Sequence, residues 1–191
     1  MKFKVAVIYG SVRTGRQGIK AARFMIKKLE ERGHEAILID PLEYKLPFID
    51  KMYKEYEPGE APEPIEKIAE ILRNSDGIMI VSAEYNHNAP PALLNIIDHF
   101  QKEYFFKPSA IVTYSGGSFG GIRVIPQLRE IMGELGGPAI PSAFPISNIE
   151  TSIDDKGKAD EAYDRRVKRF LDEFEWYIRA FKQEREKGTP Y

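Results

Sequence analysis

The sequence predicts a doubly wound α/β domain built on a five-stranded parallel sheet. Three observations lead there. Five short, β-branched apolar runs alternate with five longer amphipathic segments, the runs are nearly continuous in their apolarity, and the loops after the first, third and fourth runs are rich in glycine, proline or polar residues. Continuous runs such as Val5 to Tyr9, Ile78 to Val81 and Ala110 to Val112 suit strands covered by helices on both faces; a strand with one wet face would alternate instead. Right-handed crossovers then bring the loops at the carboxyl ends of the strands to one edge, where ligands bind at the switch point of such sheets.

In chain order, strands are expected at about 4–9, 36–40, 77–82, 109–114 and 139–144, and helices at about 18–32, 64–75, 91–103, 121–135 and 159–186. The first strand runs directly into a loop from Gly10 to Gly18, and the second ends at Asp40, read as a strand-end aspartate. From Pro41 to Pro64 lies a long connection without strong periodicity. It carries Leu46, Pro47, Phe48, Met52, Tyr53 and Tyr56, which either meet a partner subunit or cap the sheet. The third strand opens into Ser82 to Pro91, a polar and aromatic loop stiffened by Pro90 and Pro91 ahead of a helix. After the fourth strand, Ser115 to Gly121 has four glycines in seven residues and then enters a helix near Ile122. The last amphipathic segment sets Phe170, Phe174, Trp176, Tyr177, Ile178 and Phe181 among charges of both signs, the pattern of a closing helix with an aromatic stripe and a solvated face. The tail from Gly188 to Tyr191 is expected to fray.

Composition narrows the function. A chain of 191 residues with 42% hydrophobic content fits a single domain over 1–191, one that buries about 70% of its unfolded surface. With no cysteine, disulfides, thiolate catalysis and thiolate metal sites are excluded, and His34, His87 and His99 are too scattered for a metal centre. The formal charge of −1 gives no global field for nucleic acid or an anionic membrane, and no apolar run reaches the length of a membrane span. With no signal-like N-terminal core either, a cytoplasmic location is expected.

The loop from Gly10 to Gly18 has the chemistry of a phosphate cradle. Ser11, Thr14, Arg13 and Arg16 offer side-chain donors, Gly15 and Gly18 allow close backbone approach, and a helix N-terminus follows. A dinucleotide fingerprint is disfavoured because Val12 stands where its second glycine belongs. A Walker loop is disfavoured because Arg16 replaces its lysine and Gln17 its magnesium-binding hydroxyl. What remains is a metal-free loop for a terminal monophosphate, or a loop whose arginines are simply solvated.

Taken together, Gly10-Ser11-Val12-Arg13, Glu84-Tyr85-Asn86 and Ser115-Gly116-Gly117 with Gly120-Gly121 resemble the NADPH-dependent FMN reductase family, over about residues 3–150. The resemblance implies a flavodoxin-like sheet in the order 2-1-3-4-5. It implies an FMN phosphate held by Ser11, Arg13, Arg16, Gln17 and the amide of Gly18, flavin contacts from Ala83, Glu84, Tyr85 and Asn86, and a pyrimidine edge facing Ser115, Gly116 and Gly117. NADPH or NADH would be the co-substrate and a small-molecule electron acceptor the second substrate, in a homodimer or homotetramer with a contact on the 91–103 helix. Amides of Ser115 to Ser118 would stabilise charge on the reduced ring. Ala83 stands where the family often has proline, and His87 where glycine or an aromatic is usual, so His87 is either a substrate contact or an exposed loop residue. Because a flavin carries the hydride and electrons, no catalytic acid, base or nucleophile is needed. The alternative is an FMN-binding electron carrier or redox sensor, although the nearly neutral composition lacks the acidic docking surface of short-chain flavodoxins.

Overall fold

The computed structural model describes residues 1–191. Strands β1 (Lys4–Tyr9), β2 (Glu35–Ile39), β3 (Gly77–Ala83), β4 (Ser109–Tyr114) and β5 (Ala139–Ile146) form one parallel sheet in the order β2-β1-β3-β4-β5. Around it lie α1 (Ile19–Glu31), α2 (Glu63–Asn74), α3 (Pro91–Asp98), α4 (Ile125–Glu134), the one-turn α5 (Ile149–Ser152) and α6 (Glu161–Arg185). This is the expected flavodoxin-like order, with its switch point between β1 and β3.

Every residue of β3 and β4 is buried, which explains their nearly continuous apolar centres, Ile78 to Val81 and Ala110 to Val112. On one face α1 and α6 close a core containing Phe24, Phe144, Phe170 and Phe174; on the other α2, α3 and α4 close a second containing Ile65, Leu93, Ile97 and Leu128. Burial of each such side chain is worth about 1.5–3 kcal/mol. At Gly77, the first residue of β3, an added Cβ would lie 2.8–2.9 Å from Ile178 and Phe174. The bare backbone there lets α6 lie directly on the sheet. Asp160 caps that helix by accepting the Tyr163 N–H at 2.9 Å.

Two expected element bounds are corrected. The 91–103 helix stops at Asp98, because the His99 carbonyl accepts from the Tyr53 N–H of the connector at 2.8 Å and Gln101 leaves helical dihedrals; a separate 3-10 turn covers Lys102–Tyr104. Its residues Leu93, Ile96, Ile97 and Phe100 are buried in the second core, while Ala92, Leu94 and Asn95 are half-buried. The fifth strand reaches Ile146, and Ser109 pairs with Ala139 while Ile111 pairs with Ala143. The extra β5 residues surround Pro141, which has no N–H for the ladder and is accommodated by a bulge on this edge strand. The tail from Gly188 to Tyr191 is exposed and without regular structure, with the Tyr191 ring 5.4 and 5.0 Å from the centroids of Phe105 and Phe106.

The connector is ordered by its aromatics. Tyr44, Leu46, Tyr53 and Tyr56 pack on the second core, and the Tyr53 hydroxyl donates to Glu66 at 2.9 Å while accepting from Arg73 at 2.8 Å. The Asn95 side chain pins the loop by accepting from the Ile49 N–H and donating to the Pro47 carbonyl, at 3.0 and 2.8 Å. Phe48, between those two anchors, is 87% exposed. No helix of the chain is long and apolar enough to cross a membrane.

Candidate functional site

The register pairs Tyr9 with Val81 and Ala83 with Tyr114, so the loops after β1, β3 and β4 leave the sheet side by side. Between them lies a cleft of about 290 Å³. Of the residues singled out from the sequence, Ser11, Arg13, Arg16, Gln17, Gly18, Ala83, Glu84, Tyr85, Ser115 and Gly116 line it; Asn86, His87 and Gly117 do not.

Loop 10–18 presents backbone donors. Gly10 anchors its start, donating to the Val81 carbonyl at 3.2 Å. The amides of Thr14, Gly15, Gln17 and Gly18 have no partner within the chain, and α1 starts at Gly18 without a side-chain cap. Unpaired amides at a helix start, with the positive end of the dipole behind them, suit an anion. A Cβ at Gly18 would run into the Tyr114 ring, so a glycine there is what lets Tyr114 reach across the base of the cleft. The Tyr114 hydroxyl lies 3.4 Å from that of Tyr9, and burial pushes both phenols above their ordinary range. They therefore remain protonated donors at neutral pH. Ser11 is buried beside them and its Oγ accepts the Arg13 N–H at 3.4 Å.

The two arginines differ. Arg13 is exposed and forms no ion pair with a carboxylate, whereas Arg16 is engaged with both carboxylate oxygens of buried Asp40, a bond that raises its pKa further. The sequence alone does not distinguish the two arginines or mark Asp40 as more than a strand-end residue.

The loop after β3 is a tight hairpin. Tyr85 and Asn88 exchange backbone hydrogen bonds of 2.9 Å in both directions, and the two residues between them, Asn86 and His87, have φ of 52° and 66°. Positive φ at both central positions is the requirement of a type I′ turn, which asparagine tolerates well. The turn carries Asn86 and His87 out to solvent. Glu84, at its base, accepts from the backbone N–H of Arg123 at 3.0 Å and from its guanidinium at 3.3 Å.

The loop after β4 is fastened to the segment after β5. Ser115 donates its N–H to the Ile146 carbonyl at 3.1 Å, Asn148 donates to the Gly117 carbonyl at 2.9 Å, and Ile149 donates to the Ser115 carbonyl at 3.0 Å. The Ser115 amide is thus taken, contrary to expectation, and Gly116, Gly117 and Ser118 retain amides without partners in the chain. The same fastening brings Ile149 and Glu150 into the cleft wall. Neither had a sequence signal: α5 is too short for a helical period, and Tyr114, also missed, reads as the last core residue of a strand.

The pattern of the NADPH-dependent FMN reductase family matches residues 3–151. A quinone reductase from Pseudomonas putida is 29% identical over 186 residues, 93% of this chain and 95% of that protein. The NAD(P)H-dependent FMN reductase LOT6 of Saccharomyces cerevisiae is 30% identical over 168 residues, 76% of this chain and 83% of its own. Among solved structures, the flavoenzyme NAD(P)H:(acceptor) oxidoreductase FerB from Paracoccus denitrificans shares the fold with a TM-score of 0.73 and 21% identity, covering 95% of this chain and 98% of FerB. Because the matched region contains all three loops of the cleft, the chain belongs to the NADPH-dependent FMN reductase family.

Proposed function

We propose that the protein is an NAD(P)H-dependent FMN oxidoreductase whose second substrate is a quinone, an azo compound, a metal oxyanion or free flavin. The observation that carries this reading is the row of unpaired amides at the start of α1, with Arg13 beside it and the Ser11 hydroxyl below. Such a donor set fits the terminal phosphate of FMN without a metal.

In this reading the Ser11 hydroxyl, Arg13 and the amides of Gln17 and Gly18 hold the phosphate. Ala83, Glu84 and Tyr85 flank the ring, and the amide of Gly116 meets its pyrimidine edge, with that of Gly117 just beyond the cleft wall. FMN, when bound, supplies the hydride and electron transfer. The protein's share is orientation and charge: unpaired amides from Gly116 to Ser118 offer fixed dipoles to negative charge at that edge, with no reorganisation needed during turnover. The two-residue turn at Asn86 and His87 is exposed to solvent beside Tyr85, and in this reading His87 is an exposed loop residue that does not hold the cofactor.

A ping-pong cycle belongs to the proposal: the oxidised nicotinamide departs before the acceptor enters. Intersecting double-reciprocal lines in initial-rate kinetics would rule that order out. A homodimer or homotetramer is also part of it, supported by exposed Val12, Leu42, Phe48 and Ile49 near the phosphate loop and connector, and is tested by sedimentation equilibrium. So is a cytoplasmic location, tested by cell fractionation.

The deciding experiment is a spectrum of the protein loaded with FMN, followed by anaerobic addition of NADPH or NADH. Loss of the flavin band near about 450 nm and its return on adding a quinone are the expected result. FMN retained but bleached by neither nicotinamide would point to an electron carrier or sensor, and no retention of FMN would overturn the site.

A further inference from the structure

The guanidinium of Arg16 is engaged within the chain. Nη1 and Nη2 donate to Asp40 Oδ1 and Oδ2 at 2.6 and 2.5 Å, and Nη1 also donates to the Ser11 carbonyl at 2.8 Å. Its central carbon lies 5.1 Å from the centroid of the Tyr9 ring. Asp40 is 2% exposed, and its Oδ1 also accepts the Leu42 N–H at 3.0 Å. A two-pronged pair of this kind is strong and fixed in direction. Turning Arg16 toward a phosphate would leave the Asp40 carboxylate buried and unpaired, which is costly. Asp40 also cancels the charge of Arg16, so Arg13 remains as the loop's uncompensated cation.

The pair has a geometric effect on the loop. In a planar trans peptide the carbonyl and the following N–H point in opposite directions. By holding the Ser11 carbonyl, Arg16 fixes the Val12 N–H facing away from Asp40. The restraint continues along the loop, because the Ser11 Oγ accepts the Arg13 N–H at 3.4 Å and the Arg13 carbonyl accepts the Arg16 N–H at 3.3 Å. The end of β2 is in this way tied to the residue that carries the free charge.

We propose that the Arg16–Asp40 pair is a latch that sets the phosphate loop in its binding shape, with Arg16 a positioning residue and not a phosphate ligand. This revises the role expected for Arg16 from the sequence, and it rests on the reading of the cleft as an FMN site.

The two roles for Arg16 give opposite signs in one substitution. Asp40→Asn keeps the shape of the side chain and removes its charge. If Arg16 were a ligand restrained by Asp40, losing the competing carboxylate would tighten FMN binding. If the pair is a latch, FMN binding weakens by about tenfold, the scale of a lost charge-assisted bond, while riboflavin, which lacks the phosphate, is nearly unaffected. Both affinities are read by fluorescence titration on protein whose fold is checked by circular dichroism. Tighter or unchanged FMN binding in Asp40→Asn overturns the latch. Should that variant unfold, Arg16→Lys keeps the charge and loses the fork: the latch requires weakened FMN binding there, and full retention overturns it. The double variant Arg16→Gln with Asp40→Asn, which can still form a neutral hydrogen-bonded pair, recovers part of the loss if positioning is the role; no recovery overturns it. FMN binding by the unmodified protein tests the cleft separately, and its absence overturns both the cleft and the latch.

Discussion

The Glu84 carboxylate accepts the backbone N–H of Arg123 at 3.0 Å, joining the loop after β3 to the turn that leads into α4. The Glu84 side chain is 11% exposed and that of Arg123 41%, so the guanidinium part of the contact is screened and the shorter backbone bond carries most of it. Glu84→Ala is expected to lower stability by about 1–2 kcal/mol in urea unfolding, and Glu84→Gln by less than about 0.5 kcal/mol, because glutamine can still accept the N–H. Equal losses would mean that the charge, and not the backbone bond, matters.

Arg13 stands exposed at the mouth of the cleft without a carboxylate partner. Arg13→Ala is expected to weaken FMN by about 1.5–3 kcal/mol and leave riboflavin nearly unchanged. Calorimetric titration with both ligands checks this; equal losses would remove Arg13 from the phosphate site.

His87 holds φ of 66° in a turn that requires positive φ. His87→Gly creates the Asn-Gly pair favoured by type I′ turns and is expected to raise stability by about 0.5–1 kcal/mol with no change in FMN retention. A fall in FMN retention would place this residue in the cofactor site after all.

Lys107 is buried and donates to the carbonyls of Leu72, Arg73 and Glu103, capping the last turn of α2. Burial pushes its ammonium down to about 8. An unfolded lysine titrates near about 10.4, so between those values the unfolded chain binds more protons and folding gains stability as pH rises. Relative to Lys107→Met, the wild type should therefore become more stable from about pH 7 to about pH 9.5. A difference that stays flat with pH would show that Lys107 keeps an ordinary pKa.

Most of the fold could be read from the sequence because burial leaves a periodic trace. Wholly buried β3 and β4 appear as nearly continuous apolar runs, and the stripe of Phe170, Phe174 and Ile178 marks the face of α6 that meets the sheet. The site was readable where a loop's composition is itself the chemistry, as at residues 10–18 and 115–121. It was not readable where pairing across the chain decides the role. Arg16 and Asp40 are 24 residues apart, and nothing local marks one as the partner of the other. Likewise Ile149 reaches the cleft only because its N–H donates to the Ser115 carbonyl, and helix 91–103 breaks because a distant Tyr53 N–H takes the carbonyl of His99.

The wall that closes the cleft has a kinetic meaning. Lys20, in α1, donates to the Glu150 carbonyl across 130 residues of sequence, and the fastening of loop 115–117 to residues 146–149 depends on β5, the last strand to be made. Lys20 and Glu150 can meet only after β4 and β5 have paired with the strands before them, so the wall is finished no earlier than the sheet edge that carries it. A ligand that needs the finished wall is expected to slow unfolding more than it speeds folding.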